Sequence, residues 1–90
     1  MANTASAKKR IRQDMKRRAR NRWRLRTMRT AVKNVESKLM HGSADEASEA
    51  LRAACRILDR TAQKGTIHRN TAARKKSRLA KRVKAKALAN

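Results

Sequence analysis

His41-Gly42-Ser43-Ala44-Asp45-Glu46 is the stretch on which the fold of this chain turns. Gly42 suits the left-handed position that closes a helix. Immediately after it, Ser43 and Glu46 stand three apart as a capping box, in which each side chain satisfies a backbone amide of the other's turn. Asp45 and Glu46 also fall where the dipole of a new helix favours negative charge. One helix therefore ends at about residue 40 and another begins at about 44.

Upstream, Leu25, Met28, Val32, Val35 and Leu39 recur at intervals of 3, 4, 3 and 4, the narrow seam of a helix that packs on other helices. Continued backwards, the stripe meets Asn21, Arg17 or Arg18, and Asp14. The apolar stripe stops near Leu25, yet no residue there breaks a helix. The reading is a first helix over 7–40, about 50 Å long at 1.5 Å per residue. Its first half projects beyond the bundle.

Downstream, Ala47, Leu51, Ala54, Leu58 and Ala62 line one face of a second helix over 44–64, with Ala50 and Ile57 widening it. Gly65 ends that helix and Thr66 is placed to cap the next. A third helix over 67–87 gathers Ala72, Leu79 and Val83 into one arc, with Ala80 and Ala87 at its margin. Asn70, Arg74, Ser77, Arg78 and Lys81 lie on the opposite side. Lys76 falls on the apolar side, so its ammonium must reach past the bundle edge. Short connections between helices make neighbours antiparallel. The expected fold is all-α, an antiparallel three-helix bundle with a long, projecting N-terminal helix, in one domain over residues 1–90.

Charge then narrows the function. The chain carries 27 Lys and Arg against six Asp and Glu, a formal charge of +21 on 90 residues. Residues 1–33 hold 13 basic and one acidic residue, 34–63 hold four and five, and 64–90 hold ten and none. Two basic arms flank a nearly neutral centre. Such a charge repels itself and calls for a polyanion, of which nucleic acid is the densest regular example. Two Gly, no Pro and abundant Ala, Leu, Lys and Arg favour helix over disorder. A single Trp and no Phe or Tyr argue against a β-sandwich or barrel. Residues 1–9 are polar and lack the apolar stretch of a signal peptide, and no 18 apolar residues run together, so an intracellular, cytoplasmic protein is expected. The lone Cys55 fits a reducing compartment.

Catalysis has little to stand on. His41 and His68 are far apart, Cys55 has no neighbouring His, and the carboxylates cluster where helix capping explains them. No phosphate-binding glycine loop or zinc-ligand spacing is present. The expectation is a protein that is no enzyme and uses no metal, cofactor or small-molecule substrate. Cys55 reads as a buried thiol. Arg52, Arg56 and Arg60 alternate with Glu49 and Asp59, so intrahelical pairing accounts for them and they stay outside the candidate site.

In the first helix, Lys8, Lys9, Arg10, Arg12, Lys16, Arg17, Arg18, Arg20, Arg22, Arg24, Arg26, Arg29 and Lys33 occupy every side of the cylinder. A helix lying along one groove of DNA needs one basic face. A helix charged all round suits phosphates on all sides, as inside folded RNA. Arg predominates, and its planar fork suits bidentate contact with phosphate. Trp23 lies on the far side of this helix from the apolar stripe and is a candidate for packing on an RNA sugar or base. His68 lies near the apolar face of the third helix, as a packed histidine or an RNA contact.

The chain also resembles a known family. Met1-Ala2-Asn3 with Ser6-Ala7-Lys8-Lys9-Arg10, then Arg29-Thr30 with Lys33, resembles the bacterial small-subunit ribosomal proteins of the S-twenty family. A more specific match is Ile67-His68-Arg69-Asn70-Thr71-Ala72-Ala73-Arg74-Lys75-Lys76-Ser77-Arg78-Leu79. The resemblance covers essentially the whole chain. It implies a three-helix, ribosome-bound protein that binds small-subunit rRNA directly. It assigns contacts to Lys9, Arg10, Arg29, Thr30 and Lys33, and to His68, Asn70, Arg74, Lys76, Ser77 and Arg78. Trp23 and the Arg-rich run 17–26 depart from the family pattern. Taken with the basic residues, the candidate rRNA-binding set is Lys8, Lys9, Arg10, Arg12, Lys16, Arg17, Arg20, Arg22, Trp23, Arg24, Arg29, Thr30, Lys33, Lys64, His68, Asn70, Arg74, Lys75, Lys76, Ser77, Arg78 and Lys81.

The expected partners are small-subunit rRNA, its 5′ domain first, and neighbouring components of the small subunit, with no membrane. Counterion release supplies much of the affinity, and the neutral core sets the spacing of the basic helices, so RNA shape is read. The N-terminal half of the first helix is expected to be disordered in free protein and ordered on RNA. The rival reading is a histone-like protein that compacts DNA in the nucleoid. A membrane-active cationic helix is disfavoured, because the basic arms have few large apolar residues.

Overall fold

A computed structural model describes residues 4–89, so Met1–Asn3 of the family resemblance lie outside the described residues. Three helices follow one another: α1 Ala5–His41, α2 Ala44–Gln63 and α3 Arg69–Ala89. Thr4 caps α1, its hydroxyl accepting from the Ala7 amide at 3.2 Å. At α2 the capping box forms as the sequence predicts: Ser43 Oγ accepts from the Glu46 amide at 3.2 Å, and Glu46 Oε1 accepts from the Ser43 amide at 3.5 Å.

The two glycines work differently from one another. Gly42 is extended, with φ −105° and ψ −177°, and does not take the expected left-handed form. Only Gly42 and Ser43 separate α1 from α2, and an extended backbone leads directly into the next cap. Gly42 is there for space: a Cβ would stand 3.1 Å from the Lys38 carbonyl oxygen and 3.3 Å from Glu46 Oε2. Gly65 takes the left-handed conformation, φ 78°, just beyond the C-cap Lys64. Its amide and that of Thr66 donate to the carbonyls of Ala62 and Thr61, closing α2.

Thr66 does not cap α3. That helix begins at Arg69, two residues later than expected, and His68 does the capping: Nδ1 accepts from the Asn70 amide at 3.1 Å, and the His68 carbonyl accepts from Thr71 and Ala72. Thr66 instead donates its hydroxyl to Asn21 Oδ1 at 3.3 Å, which fastens the α2–α3 loop to α1.

Four of the nine buried apolar residues are Ala, which lets the helices approach closely. One cluster joins Val35 of α1, Ala47, Ala50 and Ala54 of α2, and Leu79 and Val83 of α3. A second joins Met28, Leu58 and Ala72, one from each helix. Leu58 and Val35 are fully buried, and burying one such side chain contributes about 1.5–3 kcal/mol. Thr61 is the one buried polar residue among those described, and its hydroxyl donates to the Ile57 carbonyl at 2.6 Å. Residues of α1 and α3 meet in the same chain order and those of α2 in reverse, so the bundle runs up, down, up.

One ion pair crosses each seam: Lys38–Glu46 between α1 and α2 at 3.4 Å, Asp59–Lys76 between α2 and α3 at 2.8 Å, and Glu36–Arg82 between α1 and α3 at 3.7 Å. All three sit at the rim, where such pairs are each worth about 0–1 kcal/mol. They set helix register more than stability. Lys86 Nζ also donates to the Leu39 carbonyl at 3.1 Å, placing a cation at the negative end of α1. Residues 8–20 are all exposed, so α1 projects from the bundle and the molecule measures 66 × 22 × 15 Å. Among the described residues no helix is long and apolar enough to cross a membrane.

Candidate nucleic-acid interface

Helix α1 carries its charge in two settings. On the projection, Lys8, Lys9, Arg10, Arg12, Lys16, Arg17 and Arg20 are all exposed, with Arg17 and Arg20 at its base beside the bundle. Beside the bundle, Arg22, Arg29, Thr30 and Lys33 are exposed while Arg24 is half-buried. The Thr30 hydroxyl donates to the Arg26 carbonyl at 2.9 Å, which leaves its lone pairs facing outward as acceptors. A helix this basic has few favourable side-chain pairs of its own, because Asp14 is the single acid before Glu36.

Helix α3 presents Asn70, Arg74, Ser77, Arg78 and Lys81 to solvent, as the helical wheel predicts. Lys75 is half-buried. Lys76 is half-buried along its stem, and its ammonium reaches Asp59 across the α2–α3 seam. The hydrogen bond to Asp59 raises the Lys76 pKa above the ordinary lysine value. This resolves the awkward wheel position: the residue is a seam partner that still shows part of its charge. His68 is exposed and caps the helix, so the packed-histidine reading is corrected.

The fold brings together residues that lie far apart in the chain. Arg17, Arg20 and Arg24 of α1 share with Lys64 and Gly65 a polar cleft of about 330 Å³, which Asn21 also lines. Arg24 Nη1 donates to Asn21 Oδ1 at 3.5 Å, the same oxygen that accepts from Thr66. Asn21 is half-buried at the position where the apolar stripe runs out. It is a missed residue, since a polar side chain there reads as the end of the packed face. Four cations and no carboxylate line this cleft, which suits a phosphate.

Trp23 does not face away from the bundle as expected. It lines a groove between α1 and α2 with Arg24, Thr27, Ile57, Arg60, Thr61 and Lys64, of about 280 Å³. Its indole is nevertheless 65 % exposed.

The α2 arginines also differ from their sequence reading. Asp59 is taken by Lys76, and among the described residues no ion pair engages Arg52, Arg56 or Arg60. Asp59 lies on the flank of α2 that meets α3, out of competition for the outer ladder. These three exposed arginines therefore extend the basic surface onto α2, and Arg60 reaches the Trp23 groove. Cys55 is half-buried, less enclosed than expected, and the desolvation it does experience pushes its thiol pKa up. Among the described residues no cluster of His, Cys, Asp or Glu is arranged to hold a metal.

Comparison with known proteins bears on the chain as a whole. Residues 2–84 match the family described as Ribosomal protein S20. The chain is 52 % identical over 89 residues to the small ribosomal subunit protein bS20 of Gluconobacter oxydans, covering 99 % of this chain and all of that one. It is 55 % identical over 85 residues to bS20 of Parvibaculum lavamentivorans, covering 94 % of this chain and 98 % of that one. It is 47 % identical over 81 residues to bS20 of Aquifex aeolicus, covering 90 % of this chain and 86 % of that one. Three helices and two basic arms flanking a nearly neutral central segment thus coincide with a match over nearly the full length, and this chain belongs to the ribosomal protein S20 family.

Proposed function

We propose that this chain is a structural constituent of the bacterial small ribosomal subunit, where it binds small-subunit rRNA directly, through the 5′ domain, and stabilises its folding. One observation carries the reading: a helix of 37 residues whose exposed first half is basic on every side, mounted on a bundle in which only the central segment 34–63 is close to neutral and α3 is basic as well. Embedding that helix among phosphates lowers the repulsion between converging RNA strands and releases counterions. The bundle holds α3 alongside, so Arg74, Arg78 and Lys81 meet RNA at a fixed distance from α1. Shape and phosphate spacing are read before base sequence. Nothing in this scheme needs a catalytic residue, and the function is architectural.

The test is binding to a 5′-domain transcript of small-subunit rRNA against excess duplex DNA across a salt series. The reading predicts selective retention of the transcript at physiological salt. Equal affinity for both, collapsing together as salt rises, would favour a general polycation of the DNA-compacting kind.

A further inference from the structure

The groove that Trp23 lines has a chemistry of its own. Its walls are the indole, the half-buried side chain of Ile57 and the methyl-bearing Thr27, all apolar surfaces. Its rim is Arg24, Arg60 and Lys64, and no Asp or Glu lines it. An apolar slot ringed only by cations does not suit an apolar peptide or a second copy of this basic chain. It suits a flat ring attached to a negative backbone. Its volume of about 280 Å³ sits at the lower edge of the roughly 300–1,000 Å³ of small-molecule sites, enough for one ring system rather than a run of them.

The neighbouring cleft strengthens this assignment. Arg24 and Lys64 line both openings, and beyond them stand Arg17 and Arg20. A base laid against Trp23 would thus place its own phosphate within the cation-lined cleft next door. Both openings depend on the same loop, which the Asn21–Thr66 hydrogen bond holds against α1.

We propose that the α1–α2 groove is a binding slot for a single unpaired nucleotide of RNA, its base stacked on Trp23 and its phosphate held by Arg24 and Lys64. The proposal rests on the RNA-binding reading above and adds a site to it. Base–aromatic stacking tolerates any base, because every base has a π-face. The slot therefore selects an unpaired nucleotide without specifying which one. Unlike the all-round charge of α1, it discriminates between a bulged and a fully paired helix.

The experiment uses the full chain and two RNA hairpins that differ only in one bulged uridine. Trp23 is the single Trp and there is no Tyr, so intrinsic fluorescence reports on this residue alone. The bulged hairpin should quench Trp23 and bind more tightly than the paired one. Trp23→Ala should lower affinity for the bulged hairpin by about five- to 150-fold, the worth of one base–aromatic stack, while leaving the paired hairpin unchanged. Trp23→Phe should restore most of that loss. Arg60→Ala should weaken the bulged hairpin while preserving the quench. Trp23 is largely exposed, and circular dichroism of each variant confirms that the bundle is intact. Equal quenching by both hairpins, or a Trp23→Ala loss shared equally between them, would overturn the slot. If that happens while the 5′-domain transcript is still selected, the slot falls and the ribosomal reading stands. Discrimination of the bulge without selection of the transcript would leave the slot standing and overturn the ribosomal reading.

Discussion

Replacing Leu58 by Ala tests whether the bundle is held where the structure places its centre. Leu58 is 0 % exposed and packs with Met28 of α1 and Ala72 of α3, with Leu25, Val32, Ile57, Ala62 and Ile67 around it. A buried Leu→Ala change costs about 2–5 kcal/mol, more where the cavity cannot close. Ala72 cannot reach into the space, but the flexible Met28 can partly refill it. The expected cost is therefore about 3 kcal/mol. A chain of this length has roughly 5–13 kcal/mol of stability. A core nearly half Ala and a charge of +21 place it toward the lower end. The substitution should then consume about half of the total, and lower the midpoint of a thermal melt by about 12–24 °C at roughly 4–8 °C per kcal/mol. Leu88, 77 % exposed on the last turns of α3, is the control, and Leu88→Ala should change stability by less than about 0.5 kcal/mol. RNA present at a hundred times its Kd adds about 2.7 kcal/mol through mass action, so it should recover most of the Leu58→Ala loss. The assay is ellipticity at 222 nm during heating, with and without a 5′-domain transcript. A drop below about 5 °C, or one matched by Leu88→Ala, would refute the placement of the core.

Three further outcomes follow from particular residues. Gly65→Ala puts a side chain on a left-handed residue with open space around it, so it should cost about 1–2 kcal/mol in urea unfolding from conformation alone; Gly65→Asn should recover part of it. Glu46 is held below the usual carboxylate range by the Lys38 ammonium first and the Ser43 amide next. A lowered folded pKa contributes stability that is complete above the unfolded value of about 4.3 and is lost as pH falls through the folded value. Acid melts of the parent should therefore steepen below about pH 4.3, and those of Glu46→Gln should be flatter over the same window. Residues 8–20 are all exposed and bury no side chain against the bundle, so local propensity does most to hold them helical against their own repulsion. Ellipticity should rise when the 5′-domain transcript is added, and full helicity of free protein at physiological salt would contradict this.

What the sequence disclosed is what depends on neighbours along the chain. The 3-4 spacing from Leu25 to Leu39, the Ser43–Glu46 box and Gly65 as the end of the second helix are local statements. They set three helices to within two residues at each end. What it concealed depends on the rotation of one helix against another. Asp59 has Arg56 three residues away in the chain, yet pairs with Lys76, seventeen residues on, because packing turns it toward α3. Asn21 reads as the end of a packed face, and instead fastens the loop that completes the basic cleft. Trp23 reads as pointing outward, since nothing near it in the chain shows that Ile57 and Arg60 stand across the groove. His68 lies beside an apolar arc by periodicity, but the helix starts after it, and a residue outside the helix does not follow the wheel. Net charge needs no packing at all to be legible, so the sequence alone carries the expectation of a polyanionic partner while leaving the geometry of the site to the fold.

The central claim is that RNA surrounds the projecting half of α1. Arg10, Arg12, Arg18 and Arg20 stand at four positions separated by about 80–120° around the helix at 3.6 residues per turn, and all four are exposed. Arginine-specific dicarbonyl labelling, read by mass spectrometry with and without the 5′-domain transcript, reports each side separately. The account predicts protection of all four. Protection of two adjacent arginines with the opposite pair still reactive would show a helix lying along one groove, and would contradict it.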